Sequence, residues 1–371
     1  VARPIVITGG GTGGHIFPME AIAEALVALD WPSEAIRYVG SRRGQERRLL
    51  GGDAVALTLL PGRGIRRSLK PSAVVQNIGA VAGLAVAIVQ SLYLVARWRP
   101  RAVVSVGGYA AFPFALVSAL TNRRLVLVEF DAVATGVHRV LARFATRTCV
   151  AFSSTEHRAV LTGAPVRASI AQLDRDPTAR SRAKSAQHPP IDQERFVVVV
   201  MTGSLGAGSV NAAVSELANL WSQRTDLCVI HVSGVRDYEI TLARSPRTNG
   251  LDYRIVEFAD MKELWSLADV ALCRAGATTI AELTLLGIAS VLVPLPGAPG
   301  DHQRLNAERL VDRDAAVMLL DRECNAESVA KALDELLKDD RCTAVGANAR
   351  ALGHPHAAQA IAQVVLSEVR G

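Results

Sequence analysis

Seven consecutive residues, Gly9-Gly10-Gly11-Thr12-Gly13-Gly14-His15, carry the sharpest chemical signal in this chain. They follow a short apolar run, Pro4–Thr8, and precede a helical stretch starting near Phe17. Glycines let backbone N–H groups converge on an anion at a helix N-terminus, where the peptide dipoles favour negative charge. A histidine closing such a turn is a candidate general base, because its ring titrates near neutral pH. Gly9, Gly11 and Gly14 also fit GxGxxG. That dinucleotide fingerprint wants a carboxylate near the end of the second strand. Here the second strand runs into Gly40-Ser41-Arg42-Arg43, whose arginines would suit an NADP phosphate instead.

Four further loops carry chemistry of the same kind. Gly107-Gly108-Tyr109 follows the apolar run Ala102–Val106 and makes a second wall for one phosphate pocket. Gly203-Ser204-Leu205-Gly206-Ala207 follows Phe196–Met201. It is not a nucleophile elbow, since Thr202 stands where GxSxG needs glycine, so Ser204 reads as a phosphate ligand beside a helix N-terminus. In Arg274–Glu282 a strand again meets a glycine turn and a helix, and Glu282 is placed to take two ribose hydroxyls. Asp301, His302, Gln303 and Asn306 cluster after the Pro/Gly loop 294–300, which suits sugar hydroxyls. Asp174-Arg175-Asp176 and Asp312-Arg313-Asp314 have DxD spacing away from any strand end and read as solvated charge. No metal site is therefore expected, and no cofactor. A divalent cation would be an activator only, with helix N-termini, Ser204 and backbone amides stabilising a diphosphate leaving group.

These loops need strands to end where they begin. Candidate strands are Pro4–Thr8, Arg37–Val39, Val55–Leu60, Ala102–Val106, Leu125–Glu129 and Cys149–Phe152, then Phe196–Met201, Leu227–Val232, Tyr253–Phe258, Val270–Cys273, Ser290–Pro294 and Ala316–Leu320. Apolar strands separated by helices imply parallel sheets covered on both faces, twice over. The expected fold class is α/β, with two Rossmann-like doubly wound domains facing a cleft. Ligands in such sheets bind outside the carboxyl ends of the strands. Residues 1–163 form an N-terminal domain, 164–350 a C-terminal domain and 351–371 a final helix that packs back on the N-terminal one. Thr162-Gly163-Ala164-Pro165 is the hinge, and Asp174–Glu194 is a polar surface segment.

Composition supports two domains: 371 residues, 50% hydrophobic and 20% charged. The net charge of +6 implies an acidic partner. Five dispersed cysteines without a CxxC pair read as buried thiols of a reducing compartment. Pro4–Thr8 is too short for a signal peptide. Ala73–Ala96 is uncharged and long enough for a bilayer, but it holds Gln76, Asn77 and Gln90, so a buried or membrane-touching helix is expected. Arg63, Arg66, Arg67 and Lys70 precede it, an order suited to an anionic lipid surface.

Taken in order, the loops resemble the MurG family of GT-B glycosyltransferases, which add N-acetylglucosamine to lipid I. Gly10–His15 is similar to the family's GGTGGH, Gly107–Tyr109 to GGY and Thr162–Arg167 to TGNPVR. Gly203–Ala207 is similar to GSQGA, Arg274–Glu282 to the RAG…E segment and Asp301–Ala307 to DHQ..NA. The resemblance implies an inverting hexosyl transfer from a UDP donor, held by the C-terminal half, to a prenyl-phosphate acceptor held by the N-terminal half. His15 would deprotonate the acceptor hydroxyl, with Glu129 and Asp131 as further catalytic candidates. Thr12, Gly13, Gly14, Gly107, Gly108 and Tyr109 would hold the acceptor phosphate. Arg167, Ser204, Leu205 and Gly206 would meet the donor diphosphate, Glu282 the ribose, and Phe258, Ala277, Thr278 and Gln303 the rest of the donor.

The family's HEQN is Val128-Glu129-Phe130-Asp131 here, and His138 stands where the family usually has Asn. Leu205 and Ala164 replace the Gln of GSQGA and the Asn of TGNPVR. These departures gather in the acceptor half or beside the donor phosphates. They leave open a MurG-like enzyme of phosphoglycolipid antibiotic assembly, or a non-catalytic UDP-sugar-binding partner. The resemblance places the protein in the cytoplasm, peripheral on the inner face of the membrane, with no nucleic-acid partner.

Overall fold

The computed structural model describes residues 3–50, 55–62, 71–134, 136–154, 158–203 and 206–370, and for residues 71–78 the backbone alone. The chain forms two compact units, Val1–Arg167 with His356–Gly371, and Ala168–Pro355. The division therefore falls at Arg167, where the sequence suggests Gly163.

In the first unit, β1 (Ile5–Thr8), β2 (Ile36–Ser41), β3 (Ala56–Leu60), β4 (Ala102–Ser105), β5 (Arg124–Glu129), β6 (Arg147–Val150) and β7 (Ala159–Leu161) form one parallel sheet. Its order is β3-β2-β1-β4-β5-β6-β7. The central strands are buried on both faces, which explains their unbroken apolar runs. β7 has no counterpart in the sequence reading: three residues, half-exposed, carry no periodicity to find. Register does the work for function. Thr8 pairs with Val39 on one side and Ser105 on the other, and Ser105 pairs with Leu127. The turns after β1, β2, β4 and β5 therefore emerge at one edge, around the β1/β4 point where the strand order reverses.

The second unit repeats the plan. β8 (Phe196–Met201), β9 (Leu227–Val232), β10 (Asp252–Val256), β11 (Val270–Cys273), β12 (Ala289–Leu292) and β13 (Val317–Met318) are parallel in the order β10-β9-β8-β11-β12-β13. The helices Gly208–Leu220 and Ala326–Leu337 bury Val214, Leu217, Val329 and Leu333 against Val198, Val200, Leu272 and Val291.

The 174–194 segment is more than a polar surface stretch. It contains the helix Pro177–Ser185, N-capped by the Asp176 carboxylate accepting from Ala179 N–H at 2.6 Å. Arg180 pairs with Asp269 at 2.5 Å, and Arg175 donates to the Ala268 and Leu286 carbonyls. Burial, aided by the nearby Arg180 charge, pushes the Arg175 guanidinium down to about 10. The first DxD thus brackets a half-buried arginine, and Asp314 of the second is paired with Arg341 at 2.5 Å.

The C-terminal helix Ala357–Arg370 joins the first unit, packing on the helix Gly13–Ala28 and across β4, β5 and β6. Its Glu368 meets Arg124 at 3.4 Å and Arg147 at 3.5 Å. All five cysteines are free, and burial pushes Cys149, Cys228 and Cys273 up to about 12. As thiols they pack like small apolar residues and are poor nucleophiles.

The uncharged stretch is the core of one long helix, Pro71–Trp98. Its inner face buries Ala80, Ala87, Ser91 and Val95, and it packs on the helix Phe112–Leu120. Its outer face exposes Val81, Val86, Val89, Leu92 and Tyr93, with Val89 67% and Tyr93 66% exposed. Length and composition alone would let Gly79–Trp98 cross a membrane, at mean hydropathy 2.0. Arg63, Arg66, Arg67 and Lys70 lie outside the described residues.

Candidate functional site

In the first unit the glycines are required by close approach. Gly10 has φ +119°, and a side chain there would collide with the Glu46 carboxylate at 2.1 Å. A Cβ on Gly11 would meet the Tyr109 ring at 2.8 Å, and one on Gly108 would meet the Gly10 carbonyl oxygen at 2.4 Å. The turns after β1 and β4 are therefore in van der Waals contact, so the two glycine turns singled out in the sequence stand side by side. Thr12 precedes the helix Gly13–Ala28, whose first turn carries no acidic side chain to offset its positive dipole end.

His15 lies in that first turn, with Nδ1 3.5 Å from Thr12 Oγ1. Its ring borders Gly107 and Gly108: their Cβ positions stand 3.4 Å from His15 Cδ2 and Cγ respectively. The Phe130 ring lies 5.8 Å from it, centroid to centroid, and is buried. The residue that departs from the family's polar motif thus packs beside the imidazole.

Glu129 is buried and has both oxygens engaged. Oε2 is 3.0 Å from His138 Nδ1, and Oε1 accepts from Asp131 N–H at 3.3 Å. His138 is buried too, and its Nε2 lies 3.1 Å from Ser105 Oγ. Neither Ser105 nor this partnership is legible in the sequence. Glu46 escapes it as well. The reading that β2 ends without a carboxylate holds for its immediate end, but Glu46 turns back from the next loop. Its Oε1 accepts from Ser41 N–H at 2.9 Å and Gly11 N–H at 3.0 Å. The Glu46 side chain is fully buried beneath the turn, where it braces the backbone through that one oxygen.

Arg167, expected at a donor diphosphate, belongs to the first unit. Its guanidinium lies 4.0 Å above the Phe17 ring and 3.8 Å from Glu20.

In the second unit Gly203 and Gly206 have φ +88° and +86°, and Gly206 N–H donates to the Gly203 carbonyl at 3.0 Å. Ser204 and Leu205 lie outside the described residues. The turn rests on the loop after β9: a Cβ on Gly234 would stand 2.3 Å from Gly206 N. Asp237, held below the usual carboxylate range by its hydrogen bond from Arg236, lies beside Gly206. Asn211 donates to Asp237 at 3.2 Å and to the Ser233 carbonyl at 3.0 Å, while its Oδ1 lies 2.9 Å from His231 Nε2. His231 is buried, which pushes its ring down to about 4, and its Nδ1 meets Tyr253 Oη at 2.8 Å. This neutral buried chain fixes the shape of the glycine turn from beneath.

Glu282 is 4% exposed and accepts from Trp265 Nε1 at 2.7 Å, so it is oriented by an indole and is not a solvated helix charge. Gly276 caps the helix Ala277–Leu286, which starts with Ala277 and Thr278. Asn306 is buried and donates to the Ala275 carbonyl at 3.3 Å, tying the helix His302–Val311 to this turn. Gln303 Oε1 accepts from Leu295 N–H at 3.0 Å. Arg274 is held by Asp321 at 2.6 Å and by the Val293 and Pro294 carbonyls, a structural use of its charge. Phe258 is 54% exposed. Among the described residues no three His, Cys, Asp or Glu side chains converge on a common point.

Comparison with known proteins bears on both units. The glycosyltransferase family 28 N-terminal domain matches residues 5–150, and the family 28 C-terminal domain matches 197–363. The UDP-N-acetylglucosamine–N-acetylmuramyl-(pentapeptide) pyrophosphoryl-undecaprenol N-acetylglucosamine transferase of Desulforudis audaxviator is 35% identical over 97% of both chains. That of Alkalilimnicola ehrlichii is 36% identical over the full length of both. The crystal structure of Acinetobacter baumannii MurG superimposes with TM-score 0.74 at 26% identity, covering 99% of this chain and 100% of that one. The Streptomyces nogalater glycosyltransferase SnogD, at 15% identity and TM-score 0.63 over 99% of this chain and all of that one, shares the fold.

Proposed function

This chain belongs to glycosyltransferase family 28, in its MurG branch, and from that premise we propose that it transfers N-acetylglucosamine from UDP-N-acetylglucosamine to the lipid-linked N-acetylmuramyl-pentapeptide, lipid I. It is a UDP-sugar-dependent hexosyltransferase of GT-B fold. The observation that carries the finer assignment is likeness to lipid I-using enzymes over the whole chain, at 35–36% identity. The glycosyltransferase SnogD shares the fold at 15% identity and offers no comparable support.

His15 takes the proton from the acceptor hydroxyl, and direct displacement inverts the anomeric centre. The first turn after Thr12, with Gly107 and Gly108, holds the acceptor diphosphate. Glu282, held by Trp265, takes the ribose, with Ala277, Thr278 and Gln303 around the donor. The departing diphosphate is met by Ser204, by the backbone of Gly206 and by the N-terminus of the helix Gly208–Leu220. No metal need take part.

The deciding experiment supplies UDP-N-acetylglucosamine with a lipid I analogue and, separately, with prenyl-phosphoglycolipid acceptors, and follows UDP release with and without EDTA. Turnover with lipid I that persists in EDTA is expected. Turnover confined to the other acceptors would overturn the acceptor assignment, and loss in EDTA the metal-free one.

The protein also docks on an anionic membrane from the cytoplasmic side, through the exposed apolar face of Pro71–Trp98 and the basic residues before it. Burying one such side chain in an apolar phase contributes about 1.5–3 kcal/mol, and each nearby cation about 1 kcal/mol. Val89→Asp with Tyr93→Asp should therefore lower co-sedimentation with phosphatidylglycerol vesicles by more than about tenfold. Binding that survives the double change would move the docking face elsewhere.

A further inference from the structure

We propose that His138 is a positioning residue for the transfer reaction, acting on His15 through Glu129 and the turn after β4. The proposal rests on His15 being the base. Two strand ends meet at this histidine. Its Nδ1 lies 3.0 Å from Glu129 Oε2 at the end of β5, and its Nε2 lies 3.1 Å from Ser105 Oγ at the end of β4. In one ring tautomer Nδ1 donates to Glu129 Oε2 while Nε2 accepts the Ser105 hydroxyl. Glu129 is thereby fully used: its other oxygen takes the Asp131 N–H, which fixes the chain around Phe130. Ser105, Glu129 and His138 are all buried, where hydrogen bonds polarise one another and a lost partner is costly.

The link to His15 is spatial. A Cβ on Gly107 would stand 3.4 Å from His138 Cε1 and 3.4 Å from His15 Cδ2, so the two imidazoles border one small space on that turn. Phe130, whose backbone the Glu129–Asp131 bond constrains, borders His15 from another side. Two of the surfaces that set the attitude of the base are therefore held by one buried Ser–His–Glu chain. Glu129 orients groups; its engaged oxygens leave proton transfer to His15.

Two amide substitutions separate the bonds. The shorter amide introduced by His138→Asn can occupy the Nδ1 place and keep the donor to Glu129. The longer chain introduced by His138→Gln reaches toward Ser105 and loses that donor. We expect His138→Asn to keep kcat close to wild type. We expect His138→Gln to lose about tenfold in kcat, within the ~10²-fold that misplacing a reacting group can cost. UDP affinity and donor KM should be unchanged in both. Histidine-selective NMR supplies a substrate-free reading: the His15 ring signal, identified by its loss in His15→Ala, should shift in His138→Gln and stay in place in His138→Asn. Equal kcat in the two variants with an unmoved His15 signal would overturn the proposal, as would losses that merely track Tm. If the wild type transfers nothing to lipid I, the function proposed above fails while the NMR comparison still decides this one.

Discussion

His15→Ala should lower turnover by about 10²–10⁴-fold, the contribution typical of a positioned general base. The acceptor hydroxyl is a poor nucleophile until its proton has somewhere to go, and among the described residues no other imidazole is placed to receive it at the phosphate turn. His138, which borders the same turn, is buried and committed to Glu129 and Ser105. Glu129 is committed in turn, to His138 and to Asp131 N–H. Affinity for UDP should not change, because the turns assigned to UDP belong to the second unit. Stability should change little: His15 is half-exposed at a helix start, where Ala is a good helix former. The measurement pairs UDP release at saturating substrates with a UDP titration. Turnover within a few-fold of wild type would remove His15 from the chemistry. A matching loss of UDP affinity would mean that the side chain supports the fold instead.

What the sequence disclosed and what it hid divide along a physical line. Apolar runs bounded by glycine turns reveal parallel strands because burial on both faces leaves no other pattern, and among the described residues this located each strand but the three-residue β7. The glycine turns were equally visible, since positive φ and close backbone approach exclude other residues. Side chains that work from behind those turns left no such mark. Glu46 sits beyond Ser41 in a stretch rich in charge, Arg42-Arg43-Gly44-Gln45-Glu46-Arg47-Arg48, and only the folded loop reveals that it turns inward. His138 stands out in the sequence as a departure from Asn, yet its bonds to Ser105 and Glu129 join residues far apart in the chain. The same holds for Asn211, His231 and Tyr253. Long-range polar pairing has no period, so it cannot be read from one.

The same physical line accounts for how the acceptor half tolerates its altered motif. In Val128-Glu129-Phe130-Asp131 only the glutamate is kept, and it is the one member whose carboxylate is buried and bonded. Phe130 contributes bulk against His15, a contact that asks for shape and not for a hydrogen bond. Asp131 serves Glu129 through its backbone N–H.

Gly108→Ala tests the same principle where nothing can yield. Gly108 has φ +76°, a left-handed conformation that costs an L residue about 1–2 kcal/mol. Its Cβ would lie 2.4 Å from the Gly10 carbonyl oxygen, which is backbone held in turn by the Glu46 side chain beneath Gly10 and by the Gly11 N–H bond to that carboxylate. Overpacking of this kind adds about 1–3 kcal/mol, so a loss of about 2–5 kcal/mol is expected in all. Gly208→Ala makes the contrast: no heavy atom lies within 4 Å of its Cβ position, and the residue opens a helix. There the change should raise stability by about 0.4–1 kcal/mol, by restricting the unfolded chain. Denaturant melts of both variants decide the point. A Gly108→Ala protein as stable as wild type would mean that the turns after β1 and β4 can separate without cost. The phosphate walls would then be formed by the ligand and not by the fold.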